Sequence, residues 1–192
     1  MRSIPLLLSR VLPFLPFVGV SRRSSNSAGD HLKMNIVEFS VYNRLAVKMD
    51  YFHDILRSTW NEVYAGATSA SKDVPASRLI GLGLHFCDHL KGHHDIEETL
   101  WYPILANRME GFGPGHFARE QHKEINSGLT ALRTYFKDCQ TGKRDFQRHE
   151  VQELMDSLGK VLWHHLDEEV KELGAENMKK YWTADEMESF PF

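Results

Sequence analysis

The sequence predicts an all-α protein, folded as an up-down-up-down four-helix bundle. From residue 37 onward, apolar residues recur every three or four positions over four long segments, which is the period of an amphipathic helix. No convincing apolar-polar alternation of the kind that marks a strand interrupts them. The segments are separated by short breaks, so consecutive helices are expected to be antiparallel neighbours.

Each helix is predicted from its own apolar stripe. The first stripe runs from Leu45 to Val63, and the second from Leu79 to Ile104. The third runs from Ala118 to Phe136, and the fourth from Val151 to Glu169. With their flanking residues, the helices are expected at about 37–65, 77–108, 116–140 and 145–173.

Local breakers and caps refine these limits. Pro103 should kink the second helix near its end, because proline removes a backbone donor and its ring crowds the preceding turn. Gly142 is a natural stop for the third helix. Thr183 and Glu186 have the spacing of a capping box, which predicts one more short helix after Trp182.

Residues 1–33 are predicted to be a leader outside a domain of residues 34–192. The first 29 residues contain four arginines and no aspartate or glutamate, and serines follow the last arginine, as is typical of a mitochondrial transit peptide. A secretory signal built on Val11–Val20 and a shorter cytoplasmic product starting at Met34 remain alternatives. Prolines interrupt the apolar run, so stable membrane insertion is not expected.

Composition and motifs argue against several functional classes. The formal net charge is −3 and no basic stripe is evident, so nucleic acid is not an expected partner. The two cysteines are far apart and form no CxxC motif. The chain also lacks a phosphate loop, a nucleophile elbow, a dinucleotide fingerprint, His-Glu-x-x-His and the Glu-x-x-His of ferritin-like bundles.

One chemical pattern occurs twice, at His93–Glu98 and at His164–Glu169. Each copy places imidazole and carboxylate four residues apart, which brings them together on one face of a helix. Imidazole nitrogen and carboxylate oxygen suit iron, manganese or zinc. Two such copies beside apolar stripes predict a dinuclear metal site rather than two solvated helix faces.

The apolar stripes narrow the choice of ligands. Each helix carries one histidine within its stripe, and a shared metal would satisfy these buried rings together. On the fourth helix the helical period places His165 and Glu169 within the apolar stripe and His164 outside it. Glu168 remains within reach of the metal site as an outer base. On the second helix the period separates the two histidine-glutamate pairs only weakly. The histidines in the stripes are His53, His93, His122 and His165.

Four motifs resemble those of hemerythrin-like (HHE cation-binding) domains. HHDIEETLWYP, starting at His93, and HLDEEVKEL, starting at His165, resemble the family's two metal-binding helices. MDYFHDILR and REQHKEI resemble its motifs on helices one and three, and the likeness covers about residues 37–182. It implies two iron ions bridged by two glutamate carboxylates and a solvent oxygen, with an open position for dioxygen. The implied ligands are His53, His93, Glu97, His122, His165 and Glu169.

The resemblance departs from the family pattern at Asn126. Hemerythrin-like domains often have a second histidine one turn beyond the helix-three ligand, and this chain has Asn126 there. His94 is the expected substitute, because its ring lies beside His93. His116 and Asn126 itself are the alternatives.

The expected function is therefore non-haem di-iron binding: dioxygen binding, or buffering and sensing of iron. An alternative is a di-iron oxidase or peroxidase acting on peroxide or nitric oxide, which a second open metal position at Asn126 would favour. A third is a metal-free helical interaction domain. The cofactor is expected to be two iron ions, with zinc or manganese as alternatives, and the ligand dioxygen or another small diatomic molecule or peroxide.

Overall fold

Residues 34–69 and 73–191 are described by the structure, a computed structural model, and this part of the chain contains helices and no strand. The predicted all-α architecture is confirmed. The predicted leader, residues 1–33, lies outside the described residues. The helices are α1 (Ile36–Tyr42), α2 (Arg44–Thr68), α3 (Ala76–Ile96), α4 (Tyr102–Leu105), α5 (Phe117–Gln140), α6 (Arg148–Glu172), α7 (Ala175–Tyr181) and α8 (Ala184–Glu188), with a π-helical turn at Glu97–Trp101 and a 3₁₀ turn at Glu110–Phe112.

The four long helices form the bundle. Helix α2 packs against α3 and α6, and α5 packs against the same two helices from the opposite side. Ring contacts show that α2 and α3 are antiparallel: His53 lies 5.0 Å from His93, whereas Trp60 lies 5.4 Å from Phe86. Each step forward along α2 therefore corresponds to a step backward along α3.

The core is divided into two apolar clusters with a polar layer between them. One cluster contains Leu56 and Leu90, and the other contains Met49 and Trp101. On α2, the fully buried His53 lies between Met49 and Leu56. Buried polar groups are costly unless they find partners, so this layer requires a compensating interaction.

The second predicted helix is not simply kinked at Pro103. A π-helical turn precedes the proline, and the Tyr102 N–H donates to the Glu97 carbonyl five residues back. In a regular α-helix the proline ring would crowd the carbonyl four residues earlier, and the wider turn relieves that conflict. The helical segment then ends at Leu105, three residues before the predicted end.

The remaining helices close the end of the bundle near the polar layer. The first predicted helix is divided at Asn43 into α1 and α2, and α1 packs against α7 and α8. Sequence periodicity missed the short helix α7. The capping box of Thr183 and Glu186 is present and begins α8, as predicted. Among the described residues, no helix is long and apolar enough to span a bilayer.

A chain starting at Met34 is expected to fold and bind metal like the full chain. Met34 is partly buried against the cluster that contains Met49, so this truncation keeps its contacts. Residues 1–33 carry no usable helical stripe for the bundle. Metal content by elemental analysis and Tm by circular dichroism should be unchanged. A loss of either would mean that the leader contributes to the fold.

Candidate metal centre

The polar layer of the bundle contains two groups of candidate ligands. Within each group, one nitrogen or oxygen of every residue lies within 4.8 Å of the others. Glu97 belongs to both groups. The first group is His53, His93, Glu97 and Glu169, and the second is His94, Glu97, His122 and His165.

In the first group, two histidines face two glutamates. The Nε2 atoms of His53 and His93 are 3.1 Å apart. The His93 Nε2 lies 2.9 Å from the Glu97 Oε1, and the His53 Nε2 lies 3.4 Å from the Glu169 Oε2. These contacts join α2, α3 and α6 at one point in the core.

In the second group, three histidines lie near Glu97, and one of them contacts its other oxygen. The His122 Nε2 lies 3.3 Å from the Glu97 Oε2 and 3.2 Å from the His165 Nε2. The ring of His94 stacks on that of His122, with 3.8 Å between the centroids. The two oxygens of one carboxylate therefore face different histidine groups.

The outer hydrogen bonds fix where the protons of two histidines lie. A carboxylate only accepts, so the 2.8 Å contact between the His122 Nδ1 and the Glu98 Oε1 places a proton on Nδ1. The Gln121 amide nitrogen donates to Glu168 at 2.7 Å, which turns its oxygen toward the His165 Nδ1 at 3.1 Å. When both rings are neutral, their Nε2 lone pairs therefore face each other. A cation beside them removes this repulsion.

Glu168 and Glu98 thus act on the centre through other side chains. The sequence placed Glu168 within reach as an outer base, and the structure connects it to His165 through Gln121. Neither Gln121 nor Glu98 was singled out from the sequence. Both follow a recognisable rule, because a ligating histidine usually donates its other N–H to an oxygen.

Burial keeps most of the imidazoles neutral. It lowers the pKa of His94 well below 6.5 and that of His165 to about 3. Burial also lowers the pKa values of His53 and His93. His122 differs: burial lowers its pKa, but its close contact with Glu97, its hydrogen bond to Glu98 and the negative charges of Glu97 and Glu169 outweigh this effect and raise it. Neutral imidazole is the form that binds a metal ion.

Glu97 and Glu169 are two buried carboxyl groups whose pKa values shift in opposite directions. Burial and the negative charge of Glu169 raise the pKa of Glu97 well above its usual value. Burial also favours the neutral form of Glu169, but the close approach of His53 and the neighbouring imidazoles lower its pKa to about 2. Bound cations would relieve both the burial cost and the mutual repulsion.

Several buried atoms of the centre have no hydrogen-bond partner among the described residues. They are both ring nitrogens of His94, both carboxylate oxygens of Glu97, the Glu169 Oε2 and the His53 Nδ1. The Glu97 Oε1 is close to His93, but that contact does not have hydrogen-bond geometry. Buried polar atoms are normally paired, so most of this set fits donors arranged for metal ions.

Tyr102 is a member of the site that the sequence analysis missed. Its hydroxyl donates to the Glu169 Oε1 at 2.9 Å and lies 3.1 Å from the His122 Nε2, in a fully buried position. On a regular α-helix Tyr102 would lie about 140° from Glu97. The π-helical turn returns it to the site, and that turn was not predicted.

The alternatives to His94 lie outside the centre. Asn126 is exposed on α5, and its carbonyl accepts a hydrogen bond from Thr130. The side chain of His116 is 42 % exposed and lies 3.5 Å from Glu110. His164, which the helical period placed outside the stripe, is 67 % exposed.

The family profile of the hemerythrin HHE cation binding domain matches residues 45–176. This range contains every member of both ligand groups. The chain belongs to this family. As a hemerythrin HHE domain it is a cation-binding protein, and the resemblance drawn from its four motifs is confirmed.

A curated relative of this hemerythrin HHE domain is the "Dimeric xanthone biosynthesis cluster protein R11" of Cryptosporiopsis sp. (strain 8999). The two are 25 % identical over an alignment of 154 residues, and the alignment covers 77 % of this chain and 57 % of the relative. The chain thus spans little more than half the length of that relative. No solved structure matches the chain.

Proposed function

We propose that this protein holds two iron ions and binds dioxygen at them. His53 and His93 would hold one ion, and His94, His122 and His165 the other, with Glu97 and Glu169 shared between them. The observation that carries this proposal is the Glu97 carboxylate, whose two oxygens face different histidine groups and lack hydrogen-bond partners among the described residues. A bridging carboxylate satisfies both oxygens at once.

The two ligand groups are unequal. One contains three imidazoles and the other two. With Glu97 and Glu169 both shared, as proposed, the ion beside His53 and His93 would have one protein ligand fewer and more room for a small molecule. The surrounding residues keep bulk water out: apart from His93, whose side chain is 10 % exposed, the candidate ligands are at most 2 % exposed. Bound iron would supply the exchange of electrons with dioxygen.

Tyr102 would hold Glu169 in place and supply a hydrogen-bond donor to the centre. Its hydroxyl proton is directed at the Glu169 Oε1, which leaves the Oε2 toward His53. Burial and the nearby carboxylates raise the pKa of Tyr102 well above 10, so the phenol keeps this proton at neutral pH.

Replacing Tyr102 by phenylalanine is therefore expected to loosen the centre without abolishing it. The lost hydrogen bond corresponds to about 1 kcal/mol, or roughly a fivefold faster loss of iron to a chelator. Chelator-challenge kinetics followed by absorbance would measure this effect. Tyr181→Phe, at an exposed tyrosine, is the matched control and should release iron at the wild-type rate. Equal rates for Tyr102→Phe and wild type would contradict the role of Tyr102.

The proposal is tested by adding iron(II) anaerobically to the metal-free chain and then admitting air. We expect two iron ions per chain and, with air, the charge-transfer bands of an oxo-bridged pair. Bands that disappear under vacuum and return with air would identify carriage of dioxygen. Saturation at one iron per chain, or none, would contradict the dinuclear centre.

A second candidate function is oxidation of an organic substrate at the same centre, with dioxygen or peroxide as the oxidant that is reduced. It is favoured by an apolar pocket that reaches His93 and Glu97. The relative's name refers to a biosynthetic cluster, which is compatible with such a role. In the experiment above, rapid decay of the bands with consumption of added peroxide would favour this oxidase over a carrier.

A further inference from the structure

A pocket of about 560 Å³ lies between α2 and α3, beside the metal centre. Its volume is within the range of small-molecule sites. One wall is a face of α2 that carries Lys48, Tyr51, Phe52 and Ile55, at the three- and four-residue spacing of a helix face. The facing wall is formed by the end of α3 and the π-helical turn that follows it.

The pocket ends at the proposed ligands. His93 and Glu97 both contribute to its lining, and His93 is the most exposed of the candidate ligands. The π-helical turn carries Glu97 into the core and places Trp101 on the pocket wall. A molecule in the pocket would therefore lie against the ligand group that has fewer imidazoles.

The lining favours a flat aromatic molecule. Tyr51, Phe52 and Trp101 present aromatic rings, which prefer to contact other rings face to edge or in offset stacks. From Lys48 to Ile55 the α2 wall advances seven residues, or about 10 Å along the helix axis. That length suits two or three fused rings.

The charges favour an anionic group on that molecule. Among the described residues, Lys48 forms no ion pair, and its ammonium lies 5.3 Å from the centre of the Phe52 ring. Asp88, the acidic side chain near the other end, is paired with Arg133 at 2.8 Å. Apart from Glu97 at the ligand end, the uncompensated charge of the pocket wall is therefore positive and lies at the Lys48 end.

We infer that this pocket binds a planar aromatic acid of two or three rings, with its carboxylate or phenolate at Lys48 and its rings reaching His93. Binding depends on the pocket alone, whereas presentation of the molecule to bound metal rests on the proposed function.

The metal-free protein tests binding directly. The probe is 2-naphthoate, titrated by calorimetry and by quenching of tryptophan fluorescence, with the neutral naphthalene-2-methanol as its matched partner. We expect 2-naphthoate to bind more tightly than the alcohol. Lys48→Met should weaken the binding of 2-naphthoate about three- to fivefold, which is the effect of losing one exposed ion pair. The affinity for the alcohol should be unchanged. Equal affinity of both probes for the wild type would overturn the anionic part of the inference.

Two glycines of α3 provide a blocking variant and its control. A Cβ added at Gly92, which lines the pocket, or at Gly81 would meet no atom within 4 Å. Both substitutions are therefore expected to fold. Gly92→Phe should fill the pocket and abolish binding of both probes, whereas Gly81→Phe should bind both like the wild type. Binding of 2-naphthoate unaffected by Gly92→Phe would overturn the site.

An experiment on the iron-loaded protein distinguishes a failure of this inference from a failure of the proposed function. In the iron-loaded protein, 2-naphthoate should shift the visible bands of the wild type and leave those of Gly92→Phe unchanged. If the chain takes up no iron but binds 2-naphthoate in a Gly92-dependent way, the pocket stands and the di-iron proposal fails. If iron loads normally and 2-naphthoate does not bind, the pocket inference fails alone.

Discussion

Glu97→Gln is expected to release both metal ions rather than one. The two oxygens of Glu97 face different histidine groups, so the loss of its charge removes an anionic ligand from each. Iron content should fall from two per chain to nearly zero under chelator challenge, as measured by elemental analysis. Glu124→Gln, at an exposed position on α5, is the matched control and should retain both ions.

The same substitution is expected to stabilise the metal-free protein, because burial and Glu169 raise the pKa of Glu97. A carboxyl group whose pKa is higher in the folded state binds its proton more tightly there, so folding loses stability as the pH rises above about 4.5. Glutamine cannot ionise and escapes this loss. At pH 7 the free energy of unfolding should rise on the order of 1 kcal/mol.

These two effects have opposite signs, which distinguishes a ligand from a structural residue. A purely structural Glu97 would lower the stability of the metal-free protein when replaced. Full iron content in Glu97→Gln would contradict the proposal that Glu97 bridges the two ions. Glu169→Gln should also lose both ions, but its pKa is lowered to about 2, so it should destabilise the metal-free protein.

His94→Ala is expected to remove one of the two iron ions. His94 is buried against His122, and neither of its ring nitrogens has a hydrogen-bond partner among the described residues. Its loss would leave two imidazoles in a group that had three. Iron per chain should fall from two to about one after chelator challenge.

Asn126→His is the matched test of the alternative ligand position. Asn126 is exposed, so a histidine there should change neither iron content nor chelator resistance. If Asn126→His raised iron retention and His94→Ala had no effect, the metal would be held from α5 and the role of His94 would be rejected. Equal iron content in the wild type, Asn126→His and His94→Ala would mean that neither position binds metal. The histidine ligands would then be His53, His93, His122 and His165 alone.

Much of the fold could be predicted because it depends on local periodicity. Apolar residues at helical spacing defined the four long helices, and the spacing of Thr183 and Glu186 defined the cap of α8. The break at Asn43 and the short helix α7 were missed. They are stabilised by packing at the end of the bundle, and the local sequence does not encode that packing.

By itself, the sequence determined which side chains could meet in the core. One histidine per stripe and the pair His165 and Glu169 follow from the helical period. On the second helix the period separated His93 and Glu97 from His94 and Glu98 only weakly, and the family resemblance selected the first pair. Only the tertiary structure decided how these side chains divide into two groups. His93 and His94 are about 100° apart on one helix, so each can face a different group, and Glu97 lies between them. The π-helical turn before Pro103 brings Tyr102 to Glu169, because a wider turn changes which residues share a face.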